Sequence, residues 1–324
     1  MKTPHRNARS RSVFLRSFTL IAVAVELLCA PGGELAAQLV DMGLTVEGAQ
    51  WFDNDYPTSA GNASEGFGLA LVAGDFDGDG VEDLATGVPN EVAAVRAGAV
   101  VVRYGSRGGG LSHSQRTLIL RQETQWAESG DSFGRTIAAG DFNGDSFDDL
   151  AVGIPYKGTD DRGAVRMYYG SVGGLSVTAY ELLDEIAAGG AACNGAQFGG
   201  ALAAGNFDAD LYADLAIAAP GSCEGGSGQR RGGAVYVAHG TSEGLAPFFG
   251  YRISEDSPGI FDQVENGDLF GGALATGDFD ADGYDDLAIG VPGENDLSGA
   301  IDVVMGSPWG LIFVDSVFWY PGAL

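Results

Sequence analysis

One pattern occurs four times in this chain and limits what it can fold into. It reads "GDFDGDGVEDLATGVP" (74–89), "GDFNGDSFDDLAVGIP" (140–155), "GNFDADLYADLAIAAP" (205–220) and "GDFDADGYDDLAIGVP" (277–292). The leading side chains, Asp75, Asp141, Asn206 and Asp278, are spaced by 66, 65 and 72 residues. A near-constant period of this kind marks a repeat architecture. The flanks repeat as well. A Phe-Gly pair precedes each loop, at Phe67-Gly68, Phe133-Gly134, Phe198-Gly199 and Phe270-Gly271. A glycine-led apolar stretch follows, "GAVVVRYG" (98–105), "GAVRMYYG" (163–170), "GAVYVAHG" (233–240) and "GAIDVVMG" (299–306), then a Gly-Leu turn at Leu111, Leu175, Leu245 and Leu311.

Each unit reads as four short strands, typified by "FGLALVAGDF", "DLATGVP", "GAVVVRYG" and "RTLILRQ" (116–122). Runs this short, bounded by glycine, are strands rather than helices. Four strands alone cannot bury both faces of a sheet, so tandem units of this size pack against one another. The predicted fold is all-β, a β-propeller of four-stranded blades, with repeats at about 65–122, 131–185, 196–254 and 268–318. A flat sandwich is the alternative, but it gives no reason for the period. Two further stretches, "LTVEG" (44–48) and "IFVDSVF" (312–318), resemble the last strand of a unit. That makes four blades and one spare outer strand, compatible with a small ring or with part of a longer one.

The acidic loops set carboxylates at alternate positions. Two such charges about 4 Å apart repel by ~1 kcal/mol in water and by ~4 kcal/mol at an effective dielectric of 20. Ordinary Asx turns tolerate such sequences; four in register point instead to a hard cation. Calcium takes six to eight oxygens, and loop positions 1, 3, 5 and 9 can converge when a glycine at position 6 lets the chain curl. The predicted ligands are Asp75, Asp77, Asp79 and Asp83; Asp141, Asn143, Asp145 and Asp149; Asn206, Asp208, Asp210 and Asp214; and Asp278, Asp280, Asp282 and Asp286. Position 12 is Thr86, Val152, Ile217 and Ile289, which excludes the EF-hand with its bidentate Glu. The loops hold neither Cys nor His, which disfavours zinc. Asn206 removes a charge, Leu211 and Ser146 replace the glycine, and the expected order of affinity is loops four and one, then two, then three.

The first residues read as a secretory leader, 1–37. Lys2, Arg6, Arg9, Arg11 and Arg16 precede an apolar run, "FTLIAVAVELLCA" (18–30), and a small-residue stretch ending at Ala37. The run contains Glu26 and is too short to span easily; a lipid-attached Cys29 is the other reading. Localisation is therefore expected to be extracellular or periplasmic, with no membrane insertion after cleavage, and the mature chain is 38–324. The whole chain has 17 basic and 44 acidic residues; without the leader 12 remain against 42, a net charge of −30. Such a surface repels nucleic acid and attracts cations. With 45% hydrophobic residues the chain can still bury a core. Export permits a Cys193–Cys223 disulfide, free thiols being the alternative. It would staple the blade whose loop is poorest in ligands.

With the Phe-Gly pairs, the acidic loops and the "GVP" or "GIP" closes in view, residues 65–312 resemble FG-GAP repeat proteins, including the propeller of integrin alpha subunits. The third unit departs, closing on "AAP". The resemblance implies a propeller with calcium loops between the first two strands of a blade, and extracellular adhesion or protein recognition. Members usually carry seven repeats, against four here. The expected partner is an extracellular protein or glycan, with Trp126, Tyr156, Trp309 and Trp319 as aromatic candidates. Catalysis is not expected. "GTSEG" (240–244) mimics a hydrolase elbow, but no His follows Ser242 and the same turn recurs as "GSRGG" and "GSVGG". His113 and His239 read as turn or core residues. The other class considered is a substrate-binding or accessory domain of an extracellular enzyme. Asn62 opens a formal glycosylation sequon.

Overall fold

The structure is a computed structural model. It describes residues 50, 65–92, 95–111, 116–123, 125–158, 160–178, 180–190, 193–223, 231–246, 251–260 and 263–319. The chain divides into two compact units, Met1–Trp51 and Phe52–Leu324. All described residues except Gln50 lie in the second. The leader, Cys29, the "LTVEG" stretch, Asn62 and His113 lie outside the described residues.

Among the described residues the second unit is a series of four antiparallel sheets. Blade one consists of β1 (Leu71–Gly74), β2 (Asp83–Val88), β3 (Ala99–Arg103) and β4 (Thr117–Leu120). Blade two consists of β5 (Ile137–Gly140), β6 (Asp149–Ile154), β7 (Ala164–Tyr168) and β8 (Tyr180–Leu183). Blade three has five strands, β9 (Ala201–Gly205), β10 (Asp214–Ala219), β11 (Ala234–Thr241), β12 (Gly244–Ala246) and β13 (Arg252–Ile253), the last two both pairing with β11. Blade four has β14 (Ala273–Gly277), β15 (Asp286–Val291), β16 (Ala300–Met305) and β17 (Ile312–Trp319). A single-turn helix, α1 (Glu294–Leu297), interrupts the β15–β16 connection, where the repeat pattern predicts none. The predicted four-stranded blade is otherwise reproduced, with the acidic loop joining the first and second strands each time.

Hydrophobic burial holds the blades face to face. The Phe of loops one, two and three plugs the junction to the next blade: Phe76, Phe142 and Phe207 are fully buried. Each such side chain contributes about 1.5–3 kcal/mol. From the other side comes the Phe-Gly pair of the following blade. Phe133, Phe198 and Phe270 form single parallel bridges to Gly98, Gly163 and Gly233. These glycines are obligatory, because a Cβ on Gly98 would lie 2.4 Å from the Phe133 carbonyl oxygen, and φ there is +93°.

The inner strands touch in sequence, β1 to β5, β5 to β9 and β9 to β14. Among the described residues no contact of that extent joins β14 back to β1. The far face of blade four is accordingly open. Phe279, Ile301 and Trp319 are 54%, 49% and 54% exposed. Their counterparts Phe207, Val235 and Ile253 in blade three are fully buried. Gly68 tells the same story at blade one: a Cβ there would meet nothing within 4 Å, whereas one on Gly134 would lie 2.6 Å from Ala99 O.

Cys193 and Cys223 are disulfide-bonded, with Cα atoms 6.0 Å apart, and bracket the first hairpin of blade three. Glu185 lies in the same junction. Its Oε1 accepts hydrogen bonds from Ser222 Oγ at 2.5 Å and Tyr236 OH at 2.9 Å.

Candidate metal centre

The loops owe their shape first to hydrogen bonds among their own residues. The position-9 aspartate is the anchor. Asp83 accepts the Phe76 N–H at 3.1 Å and the Gly105 N–H at 2.7 Å. Asp149 does the same with Phe142 and Gly170, Asp214 with Phe207 and Gly240, and Asp286 with Phe279 and Gly306. All four are buried. Each therefore pins the loop to the end of the third strand, a role that the ligand spacing alone does not reveal. Burial pushes the Asp83 and Asp149 carboxyls up to about 7, although the two backbone N–H groups on each pull the other way.

Positions 1, 3 and 5 wrap the tip. Asp75 accepts from the amides of Asp79 and Gly80, Asp141 from those of Gly144, Asp145 and Ser146, and Asp278 from those of Asp282 and Gly283. The side chains of Asp77, Asn143, Asp208 and Asp280 each take the amide two residues on. So do those of Asp79, Asp145, Asp210 and Asp282. Position 6 carries the left-handed turn in three loops, at Gly80 (φ +79°), Ser146 (φ +71°) and Gly283 (φ +99°).

The loops differ in what they bring together. In loop one, oxygens of Asp75, Asp77 and Asp83 lie within 4.8 Å of one another, and in loop four those of Asp278, Asp280 and Asp282 do. All donors there are oxygen, as a hard divalent cation requires. Loop one has an internal cation as well: Arg116 Nη2 lies 2.6 Å from Asp77 Oδ2. The guanidinium also sits over the Tyr104 ring, 4.8 Å from its centroid. In loop two Asn143 Nδ2 donates to Asp145 Oδ2 at 3.0 Å. Loop three contributes Asp208 and Asp214 to a cluster completed by His239. No loop residue is a histidine, so this nitrogen lies outside the ligand set that the loop sequence predicts. His239 enters from the end of β11, where blades one, two and four have Tyr104, Tyr169 and Met305. The repeat alignment contains that signal, in the residue before the glycine that closes the third strand.

Adjacent loops are tied to each other. Asp148, at position 8 of loop two, accepts the Asp75 N–H, and Asp285 of loop four accepts the Asn206 N–H, both at 2.8 Å. Alanine at the corresponding Ala213 leaves only its own N–H, which donates to Asp141 O at 2.9 Å. Burial first, then Asp141 and Asp75, raise the Asp148 carboxyl. A fourth acidic cluster, Glu255, Asp268 and Glu294, is buried between blades three and four. The equivalent positions at the first junction are Gln122, Asp131 and Lys157, where Asp131 Oδ2 receives both Gln122 Nε2 at 3.0 Å and Lys157 Nζ at 3.1 Å.

Of the aromatic candidates, Trp126, Trp309 and Trp319 are exposed, and Tyr156 is half-buried with Arg135 over its ring. Trp309, 82% exposed, tops the turn of blade four that packs against His239.

The FG-GAP repeat family matches residues 67–102, 133–166, 198–237 and 270–304, one match per blade. The chain belongs to the FG-GAP repeat proteins. This FG-GAP chain is 30% identical over 228 residues to integrin alpha-4 of Xenopus laevis, covering 69% of the chain and 19% of that protein. It is 32% identical over 249 residues to integrin alpha-V of Gallus gallus, covering 73% and 21%. It is also 34% identical over 142 residues to phosphatidylinositol-glycan-specific phospholipase D of Homo sapiens, covering 43% and 16%. The FG-GAP chain thus spans about a fifth of the length of the relatives it matches. Among the described residues no helix is long and apolar enough to cross a membrane.

Proposed function

We propose that this FG-GAP chain is an exported recognition module whose propeller blades are rigidified by calcium and which binds an extracellular protein or glycan. The observation that carries the reading is the convergence of three carboxylates in loop one and of three in loop four, all with oxygen donors. Asp75, Asp77 and Asp83 would hold the ion in the first loop, and Asp278, Asp280 and Asp282 in the fourth. Calcium would supply the charge that these aspartates need to stay close together. Its role is structural and no reaction is assigned to it. The similarity to integrin alpha subunits supports protein recognition, and the basic leader supports export. A specific observation favours a second reading, an accessory domain of an extracellular enzyme: the similarity to a phospholipase D.

Calorimetric melting of residues 38–324 with calcium and with chelator tests the first part. A cation that binds only the folded chain adds about 2.7 kcal/mol at a concentration 100 times its Kd. An unchanged midpoint refutes the calcium role. Capture of extracellular proteins and glycan arrays on the immobilised chain, with and without calcium, tests recognition; absent capture refutes it, and capture that ignores calcium refutes the dependence on the ion.

A further inference from the structure

Loop three departs from the other loops in three ways that point in one direction. It has lost a charge at position 1, since Asn206 stands where the others have aspartate. Leu211 occupies position 6 without the left-handed turn made by Gly80, Ser146 and Gly283, so the tip does not curl in the same way. And it has gained a nitrogen, His239 Nδ1, which lies 3.1 Å from Asp214 Oδ1 and 3.9 Å from Asp208 Oδ2. The imidazole is held from two sides. Tyr251 packs edge-on with ring centroids 6.1 Å apart, and the blade-four turn places Gly310 against Cε1. Asn206 has also turned over. Its Nδ2 donates to Asp210 O at 2.9 Å, and its Oδ1 is buried in the loop with no hydrogen-bond partner, whereas Asp75, Asp141 and Asp278 accept loop amides with their oxygens.

An uncharged position 1, a position 6 without the left-handed turn and an imidazole in the cluster fit calcium poorly, since calcium takes six to eight oxygens. Carboxylate plus imidazole is the donor set of borderline divalent d-block ions, zinc foremost. We propose that loop three is a zinc-class site formed by Asp208, Asp214 and His239, distinct in metal preference from the calcium loops. It rests on the reading of the acidic loops as cation sites. The ring nitrogen would take the place that the missing aspartate vacates, and Asp214 would supply a carboxylate already fixed by two backbone amides.

The test uses the tag-free mature chain, 38–324, stripped of metal and titrated with Co2+ or Zn2+ alone. Cobalt absorption reports the coordination geometry, its loss in the His239 variants identifies the nitrogen ligand, and competition with zinc gives the affinity. One equivalent is expected whose affinity falls about tenfold or more in His239→Gln. His239→Tyr installs the residue that blades one and two carry, preserves the fold and should lose the cobalt spectrum equally. The calcium-dependent shift in melting should survive in both variants. Zinc binding that persists unchanged in both variants, or that is abolished instead by Asp278→Asn in loop four, overturns the proposal. A cobalt signal lost with His239 in a chain whose melting ignores calcium would leave this site standing and refute the calcium role. A calcium shift without any His239-dependent zinc binding would do the reverse.

Discussion

Asp148 holds the backbone of Asp75 from both sides: its Oδ2 accepts the Asp75 N–H at 2.8 Å, and its own N–H donates to the Asp75 carbonyl at 3.1 Å. The carboxylate thus stitches loop one to loop two, and the same pairing joins Asn206 to Asp285. The stitch is made with a charge that burial and its neighbours disfavour. Separating the two effects is straightforward. Asp148→Ala removes the acceptor and should lose about 1–2 kcal/mol in urea unfolding. Asp148→Asn keeps an acceptor and removes the charge, so in chelator at neutral pH it should match or exceed the native chain. Equal losses in the two variants would show that the charge itself stabilises.

The pH response of the apo chain follows from the position-9 aspartates. Asp83 and Asp149 stand at about 7, against an ordinary 3.8. Between those values the folded chain retains protons that the unfolded chain has released. Stability without metal should therefore fall as pH rises from about 4 to about 7. A cation entering the loops must displace the same protons. The melting shift caused by calcium should be larger at about pH 7.5 than at about pH 5.5. A calorimetric series showing an equal or larger shift at the lower pH contradicts this.

The disulfide spans 30 residues of blade three. Closing a loop of that length removes about 3–4 kcal/mol of chain entropy from the unfolded state. The Cys193→Ser, Cys223→Ser double variant should melt lower by that equivalent. The loss should appear with calcium present as well as absent, because loop three is assigned a different ion. Unchanged melting of the variant would count against the staple.

Phenylalanines at one repeat position should differ sharply in worth. Phe207 is fully buried between blades three and four, so Phe207→Ala should lose about 3–5 kcal/mol. Phe279 lies on the open face of blade four, and Phe279→Ala should lose about 1 kcal/mol or less. Equal losses would mean that the face is covered in solution.

The strands and their order were legible because each rests on local pattern: glycine boundaries, an alternating acidic loop and a fixed period. What lay beyond the sequence were contacts made across that pattern. Arg116 reaches Asp77 from the start of the fourth strand, and Asp148 reaches Asp75 from the next blade. Glu294 begins a helical turn on a stretch with only four helical residues, too few for any periodicity to show. In the sequence His239 looks like a turn or core residue, since its meaning depends on β11 ending beside Asp208 and Asp214.

Each blade carries half of a joint at either side: a leading Phe-Gly pair, and a trailing glycine with its plug of Phe. The backbone part of the joint is the same at all three junctions, whereas the side chains around it are not: Lys157 meets Asp131 at the first, and Glu255, Asp268 and Glu294 meet at the third. A duplicated or deleted repeat therefore keeps the glycine-to-Phe bridge and has to readjust the charges beside it. The uncovered Phe279, Ile301 and Trp319 mark where a further repeat would attach.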